Sequence, residues 1–118
     1  MKKVGVQRLV SAFFNSVRGL LFLLKNESAF KQEIMLVLIL CPLSFFIGEN
    51  ALEIFLLNFA LFFVLIVEVI NTAIEVTIDR ISLEDNDLSG LAKDLGSAAV
   101  FLSIFFAVIV WLAVLLFI

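Results

Sequence analysis

The chain holds no histidine, one cysteine, one proline and one tryptophan in 118 residues. Without histidine there is no imidazole base and no imidazole metal ligand. A lone Cys41 excludes an internal disulfide and a cysteine-cluster metal site. Its plain role is that of a small apolar residue in a membrane span. Charge is scarce, at 16% of residues. All eight Lys and Arg (Lys2, Lys3, Arg8, Arg18, Lys25, Lys31, Arg80, Lys93) lie outside the apolar runs. No basic patch with interleaved aromatics occurs, which argues against a nucleic-acid partner. Neither GxxxxGK followed by Ser or Thr, nor GxGxxG, is present, so no standard phosphate loop exists. Met1-Lys2-Lys3 could open a signal peptide. Gln7, Arg8 and Arg18 interrupt the apolar region that should follow, and no cleaved targeting segment is expected. Any chemistry must come from carboxylates, lysine, arginine, amides and hydroxyls.

Apolar residues, by contrast, make up 64% of the chain, and the mean hydropathy is +1.22. Soluble domains are nearer half apolar, and one of this length could not hide so much apolar surface. The sequence predicts an all-α membrane protein: an N-terminal amphipathic surface helix, three transmembrane helices, and an oligomeric bundle. It forms one domain over 1–118. The surface helix covers about 4–24, with Gln7, Arg8, Ser11, Asn15 and Arg18 on one face and Val, Leu and Phe on the other. The spans fall at about 29–47, 51–70 and 95–118. Asn26 is the expected cap of the first span, with Glu27 and Ser28 in its first turn. Pro42 should bend that span. Trp111 is expected to anchor or pack. Glu49, Glu53 and the acids of 84–87 are expected to be solvated.

The organising stretch is Glu68-Val-Ile-Asn71-Thr72-Ala-Ile-Glu75-Val-Thr-Ile-Asp79-Arg80. It continues the uncharged run Ile54–Val67, so one helix should start in lipid and end in water. Helical spacing places Glu68, Asn71, Thr72, Glu75 and Asp79 on one face, with the three acids within roughly 40° of one another. Carboxylates stacked at a membrane boundary repel one another and are costly to desolvate, which points to a divalent cation or a moving proton. Every Lys and Arg lies in the N-terminal segment or in 80–94, and the 48–50 turn has none. The positive-inside rule then puts the N-terminus and the 80–94 loop in the cytoplasm. Three spans form too thin a bundle to shield the acidic stripe, which implies a homo-oligomer. Glu75 with Glu27 suits a hard cation such as Mg²⁺. Lys93 beside Asp94 suits a nucleotide, with the ammonium on phosphate and the carboxylate on ribose or base. Glu68, one or two turns deeper than Glu75, suits a base for a lipid hydroxyl. Composition and spacing alone end at a small membrane protein with an acidic site, which could also be an oligomeric ion or proton conductor.

Three segments carry a resemblance. They are Asn26-Glu27-x-Ala29-Phe30-x-Gln32-Glu33, the organising stretch, and Asp87-Leu-Ser-Gly90-x-Ala-Lys93-Asp94-x-Gly96-Ser97-Ala-Ala-Val100. Together they resemble the prokaryotic diacylglycerol kinase family over nearly the whole chain. The resemblance implies a homotrimer in the bacterial inner membrane, multi-pass, with a cytoplasmic N-terminus. It implies ATP- and Mg²⁺-dependent phosphorylation of diacylglycerol to phosphatidic acid, with undecaprenol kinase of the same family as the alternative. By position it makes Glu68 the general base and Glu27 and Glu75 the metal ligands. ATP would meet Arg8, Asn15, Glu27, Asn71, Glu75, Glu84, Asp85, Asn86, Lys93 and Asp94. The lipid substrate would meet Arg8, Ala29, Phe30, Lys31, Gln32, Glu33, Glu68 and Ser97.

Overall fold

The computed structural model describes residues 4–117. Lys2 and Lys3, counted above for topology, lie outside the described residues. Four helices follow one another: α1 (Gly5–Asn26), α2 (Ser28–Ile47), α3 (Ala51–Ile81) and α4 (Asp87–Phe117). Three of them, α2, α3 and α4, are long and apolar enough to cross a bilayer. The chain is a multi-pass membrane protein. It divides into two compact units, 1–32 and 33–118.

The first unit is mostly α1. Its apolar side chains Val6, Leu9, Val10, Phe13 and Phe14 are all exposed. An apolar stripe with no protein over it, opposite a polar face, fits a helix lying in the membrane interface. Asn26 does not cap α2 as expected. It is the last residue of α1, and its side-chain amide donates to the Phe22 carbonyl at 2.9 Å. The intervening Glu27 leaves helical geometry, and its backbone N–H closes α1 on Leu23. The Asn26 amide is spent backwards on an open carbonyl of its own helix, so it is lost to α2.

In the second unit α3 packs along α4. Small residues allow the approach: Ala60, Val64 and Ala107 form a core, with Val110 and Trp111 against it. The Trp111 indole N–H donates to the Leu57 carbonyl at 3.1 Å, tying α4 to α3. Trp111 is thus a packing residue. Helix α2 continues through Pro42 and is joined to α3 by a part-buried polar contact, Asn58 Nδ2 to Ser44 Oγ at 2.8 Å. Asn50 caps α3. Its Oδ1 accepts from the Glu53 N–H at 2.9 Å, while the Glu53 carboxylate accepts from the Asn50 amide and the Glu49 N–H. Glu53 is therefore tied into the N-terminal cap of α3 rather than a merely solvated acid.

Length decides where the site lies. Helices α3 and α4 each have 31 residues, about 46 Å at 1.5 Å per residue. The hydrocarbon core of a bilayer is about 30 Å thick. Both helices therefore extend some turns past it. The uncharged stretches are Ile54–Val67 and Leu95–Phe117, so the excess is the Glu68–Ile81 end of α3 and the Asp87–Asp94 end of α4.

Candidate active site

At that shared end, α3 stops at Ile81, and the Ser82 N–H closes on the Ile78 carbonyl. Helix α4 begins at Asp87, earlier than the 95 at which the charge-free run starts, because Asn86 caps it. The Asn86 Oδ1 accepts from the Leu88 and Ser89 N–H groups at 2.9 and 3.2 Å. The five residues between, Ser82 to Asn86, are turned on themselves by the Glu84 N–H donating to Ser82 Oγ.

The two helix ends and this loop enclose a cavity of about 520 Å³. Its walls are acidic: Asp79, Glu84, Asp85, Asp87 and Asp94. Among the described residues that line it, Lys93 carries the one positive charge. Lys93 Nζ donates to Asp79 Oδ1 at 2.8 Å, with both side chains about half exposed (43% and 47%). The Asp79 carboxylate also pulls the Lys93 side chain across to α3. Sequence spacing could not have found this pair, since 14 residues and a turn separate them. The acids of 84–87, which composition leaves solvated and the family resemblance in part assigns to the nucleotide, are walls of this cavity.

Deeper along α3 the polar residues become covered. Glu68, Asn71 and Thr72 are each only 7% exposed. A single chain thus buries the deep end of the stripe, so burial of Glu68 does not by itself require a second subunit. The Asn71 amide donates to Glu75 Oε1 at 3.0 Å, and the Thr72 hydroxyl to the Glu68 backbone carbonyl at 3.1 Å. The Glu68 carboxyl interacts with that of Glu33 on α2. The other Glu33 oxygen, Oε1, is buried with no hydrogen-bond partner. Glu33 also stands at the head of an apolar cavity of about 330 Å³. Leu36, Val37 and Leu40 of α2, Leu61 and Val64 of α3, and Ile104, Ala107, Val108, Trp111 and Leu112 of α4 complete it. The Glu33–Glu68 contact was not legible in the sequence, which placed Glu33 at the membrane boundary but named no partner for it.

The second unit therefore brings Glu84, Asp85, Asn86, Lys93 and Asp94 to one cavity, Asn71 to Glu75, and Glu33 to Glu68. Ser97 is exposed on α4. In the first unit, Arg8 and Asn15 lie on α1, where Asn15 Oδ1 accepts from the Arg18 guanidinium. Glu27 sits at the break after α1, and Ala29, Phe30, Lys31 and Gln32 form the first turns of α2.

Among the described residues no three acids converge to hold a metal ion on their own. The donors present are nonetheless hard oxygens, and a cavity walled by five acids and one lysine repels a polyphosphate unless a cation accompanies it. Such a set fits Mg²⁺ bound mainly through phosphates and one or two carboxylates. It does not fit a closed, all-protein cage.

Residues 14–115 match the family described as prokaryotic diacylglycerol kinase. The chain belongs to that family. A relative named diacylglycerol kinase in Haemophilus influenzae is 42% identical over 116 residues, covering 98% of each chain. One of the same name in Escherichia coli is 42% identical over 91% of this chain and 88% of its own. One in Helicobacter pylori is 36% identical over 93% and 86%. Every residue of the second-unit site described above lies within the matched region of the family.

Proposed function

We propose that the protein is a lipid kinase. It transfers the terminal phosphoryl group of ATP to the free hydroxyl of diacylglycerol, giving phosphatidic acid and ADP, at the cytoplasmic face of the bacterial inner membrane. What carries this reading is one juxtaposition. A lysine-bearing acidic cavity in the water-side extension of α3 and α4 stands about 16 Å along α3 from Glu68, which is buried and meets Glu33 at the head of an apolar cavity at bilayer depth. A kinase acting on a lipid needs both solvents within one helix length, and the relatives' shared name agrees.

The roles follow from depth. Lys93 pairs with phosphate oxygens, and Asp94 accepts from the nucleoside. The loop 84–86 borders the nucleotide. Asn71 is a further residue of the nucleotide site in this reading, through its bond to Glu75. Glu75 would hold the magnesium ion, which, bound with ATP, would neutralise charge on the transferring phosphoryl. Glu68 is seven residues below Glu75, about 10 Å along the axis. There its carboxylate takes the proton of the lipid hydroxyl as that oxygen bonds to phosphorus and the bond to ADP breaks. Glu33 holds Glu68 in place, and the apolar cavity takes an acyl chain. Ser97 borders the lipid headgroup. The functional assembly is a homotrimer with its N-terminus in the cytoplasm.

The test is the purified protein in micelles with labelled ATP, Mg²⁺ and either dioleoylglycerol or undecaprenol. Label in phosphatidic acid supports the proposal. Label only in the polyprenol product replaces its substrate. No label, with proton flux in liposomes, replaces the whole reading with a conductor. Native mass spectrometry from detergent reads the stoichiometry.

A further inference from the structure

We propose that Gly96 is a positioning residue. By carrying no side chain it lets the Asn71 amide lie against α4, and Asn71 in turn aims the carboxylate of Glu75. The inference rests on the reading of Glu75 as the group that receives Mg-ATP.

The two ends of the Asn71 amide do different things. Its nitrogen donates to Glu75 Oε1 at 3.0 Å. Its oxygen, Oδ1, is buried and accepts no hydrogen bond. A buried acceptor without a donor is unfavourable, so the oxygen does not choose this place. The amide is turned so because its nitrogen reaches Glu75 and because α4 leaves room for its oxygen. That room is the missing side chain of Gly96, itself a buried position. A methyl group built on Gly96 would collide with Asn71 Oδ1 and stand 3.3 Å from Asn71 Cγ, while Ile74 Cδ1 would be at an ordinary 3.9 Å. Gly90, earlier on the same helix, has open space around it, so α4 does not demand small residues throughout.

This geometry separates folding from function. The atom that must yield to a methyl at Gly96 is the far end of a flexible side chain, and yielding is cheap for the fold. It is not cheap for Glu75. The oxygen and nitrogen of Asn71 belong to one planar amide, so pushing the oxygen away swings the nitrogen off Glu75. Gly96→Ala should therefore behave as a loss of the Asn71–Glu75 hydrogen bond, although Gly96 touches neither nucleotide nor metal.

The experiment uses full-length protein in detergent micelles. It measures equilibrium binding of a non-hydrolysable ATP analogue with Mg²⁺, and the thermal midpoint, for wild type, Gly96→Ala, Asn71→Ala, the double variant and Glu75→Gln. Gly96→Ala and Asn71→Ala should each weaken binding about tenfold, the low end for losing one hydrogen bond to a charged group. The double variant should be no weaker than Asn71→Ala alone, since both act through one bond. The Gly96→Ala midpoint should stay close to that of wild type. Normal binding by Gly96→Ala overturns the inference. So does a second tenfold loss on top of Asn71→Ala, which would mean that Gly96 acts through packing. If Gly96→Ala fails to fold, the double variant, which lacks the colliding amide, should fold; its failure too would overturn the inference. If Glu75→Gln binds normally while folded, the reading of Glu75 is what falls.

Discussion

Glu68→Gln is the substitution that most directly tests the chemistry. It swaps one carboxyl oxygen for an amide nitrogen at nearly constant volume, in a side chain that is only 7% exposed. The backbone contact from Thr72 uses the Glu68 carbonyl and is untouched. The glutamine amide can donate to the Glu33 carboxylate, so the link between α3 and α2 survives and the fold should too. What is lost is a carboxylate able to take a proton. Positioned general bases contribute about 10²–10⁴-fold, equivalent to about 3–5 kcal/mol of barrier. Glu75 is two helical turns away, about 10 Å along the axis, and Lys93 and Asp94 lie farther toward the water. The KM for Mg-ATP should therefore change by less than about twofold, near the precision of the additivity seen for distant sites. The assay is steady-state transfer of label from ATP to dioleoylglycerol in mixed micelles, with kcat and KM resolved separately. A variant that keeps a near-normal kcat refutes the assignment of Glu68. One that loses nucleotide binding in proportion to rate shows that Glu68 acts on the nucleotide and not on the hydroxyl.

Other outcomes are expected from the same geometry. Glu75→Gln should raise the Mg²⁺ concentration needed for half-maximal rate about tenfold, the low end for losing one interaction with a charged group, as read from rate against free Mg²⁺. Ser44 is fully buried, with Asn58 donating to it and its own hydroxyl on the Cys41 carbonyl. Ser44→Ala should cost only about 0.6 kcal/mol in detergent unfolding titrations, because the Asn58 amide keeps its bond to the Ile54 carbonyl at 2.8 Å. Asn86→Ala removes the acceptor for two N–H groups at the start of α4. It should cost about 1 kcal/mol and also weaken nucleotide binding, since the cap borders the cavity; a loss of stability alone would dissociate the loop from the nucleotide.

The class of the protein and the order of its helices are written in composition and period. An apolar excess of this size has nowhere to go but lipid, and uncharged runs between charged ends mark where each helix enters and leaves. The 3.6-residue period likewise places Glu68, Asn71, Glu75 and Asp79 on one face of α3, since a face depends only on neighbours along the chain. Capping was less legible. Asn26 and Asn86 are the same residue type in polar segments, yet one closes the helix before it and the other opens the helix after it. Which carbonyl or N–H an asparagine meets depends on the backbone path beyond it, and local sequence does not specify that path.

Contacts between helices lay further out of reach. Asp79 with Lys93, Glu33 with Glu68, Trp111 with Leu57, and Gly96 against Asn71 each depend on the rotation and axial offset of one helix against another. For the three contacts between α3 and α4 those are settled by how Ala60, Val64 and Ala107 let the two helices close, a packing sum over many side chains. Sequence by itself determined that acids would stand in a stripe where lipid meets water. Only the tertiary structure decided which of them are buried, which are paired, and which look into an open cavity, because desolvation and partner choice are properties of the space between helices and not of any one of them.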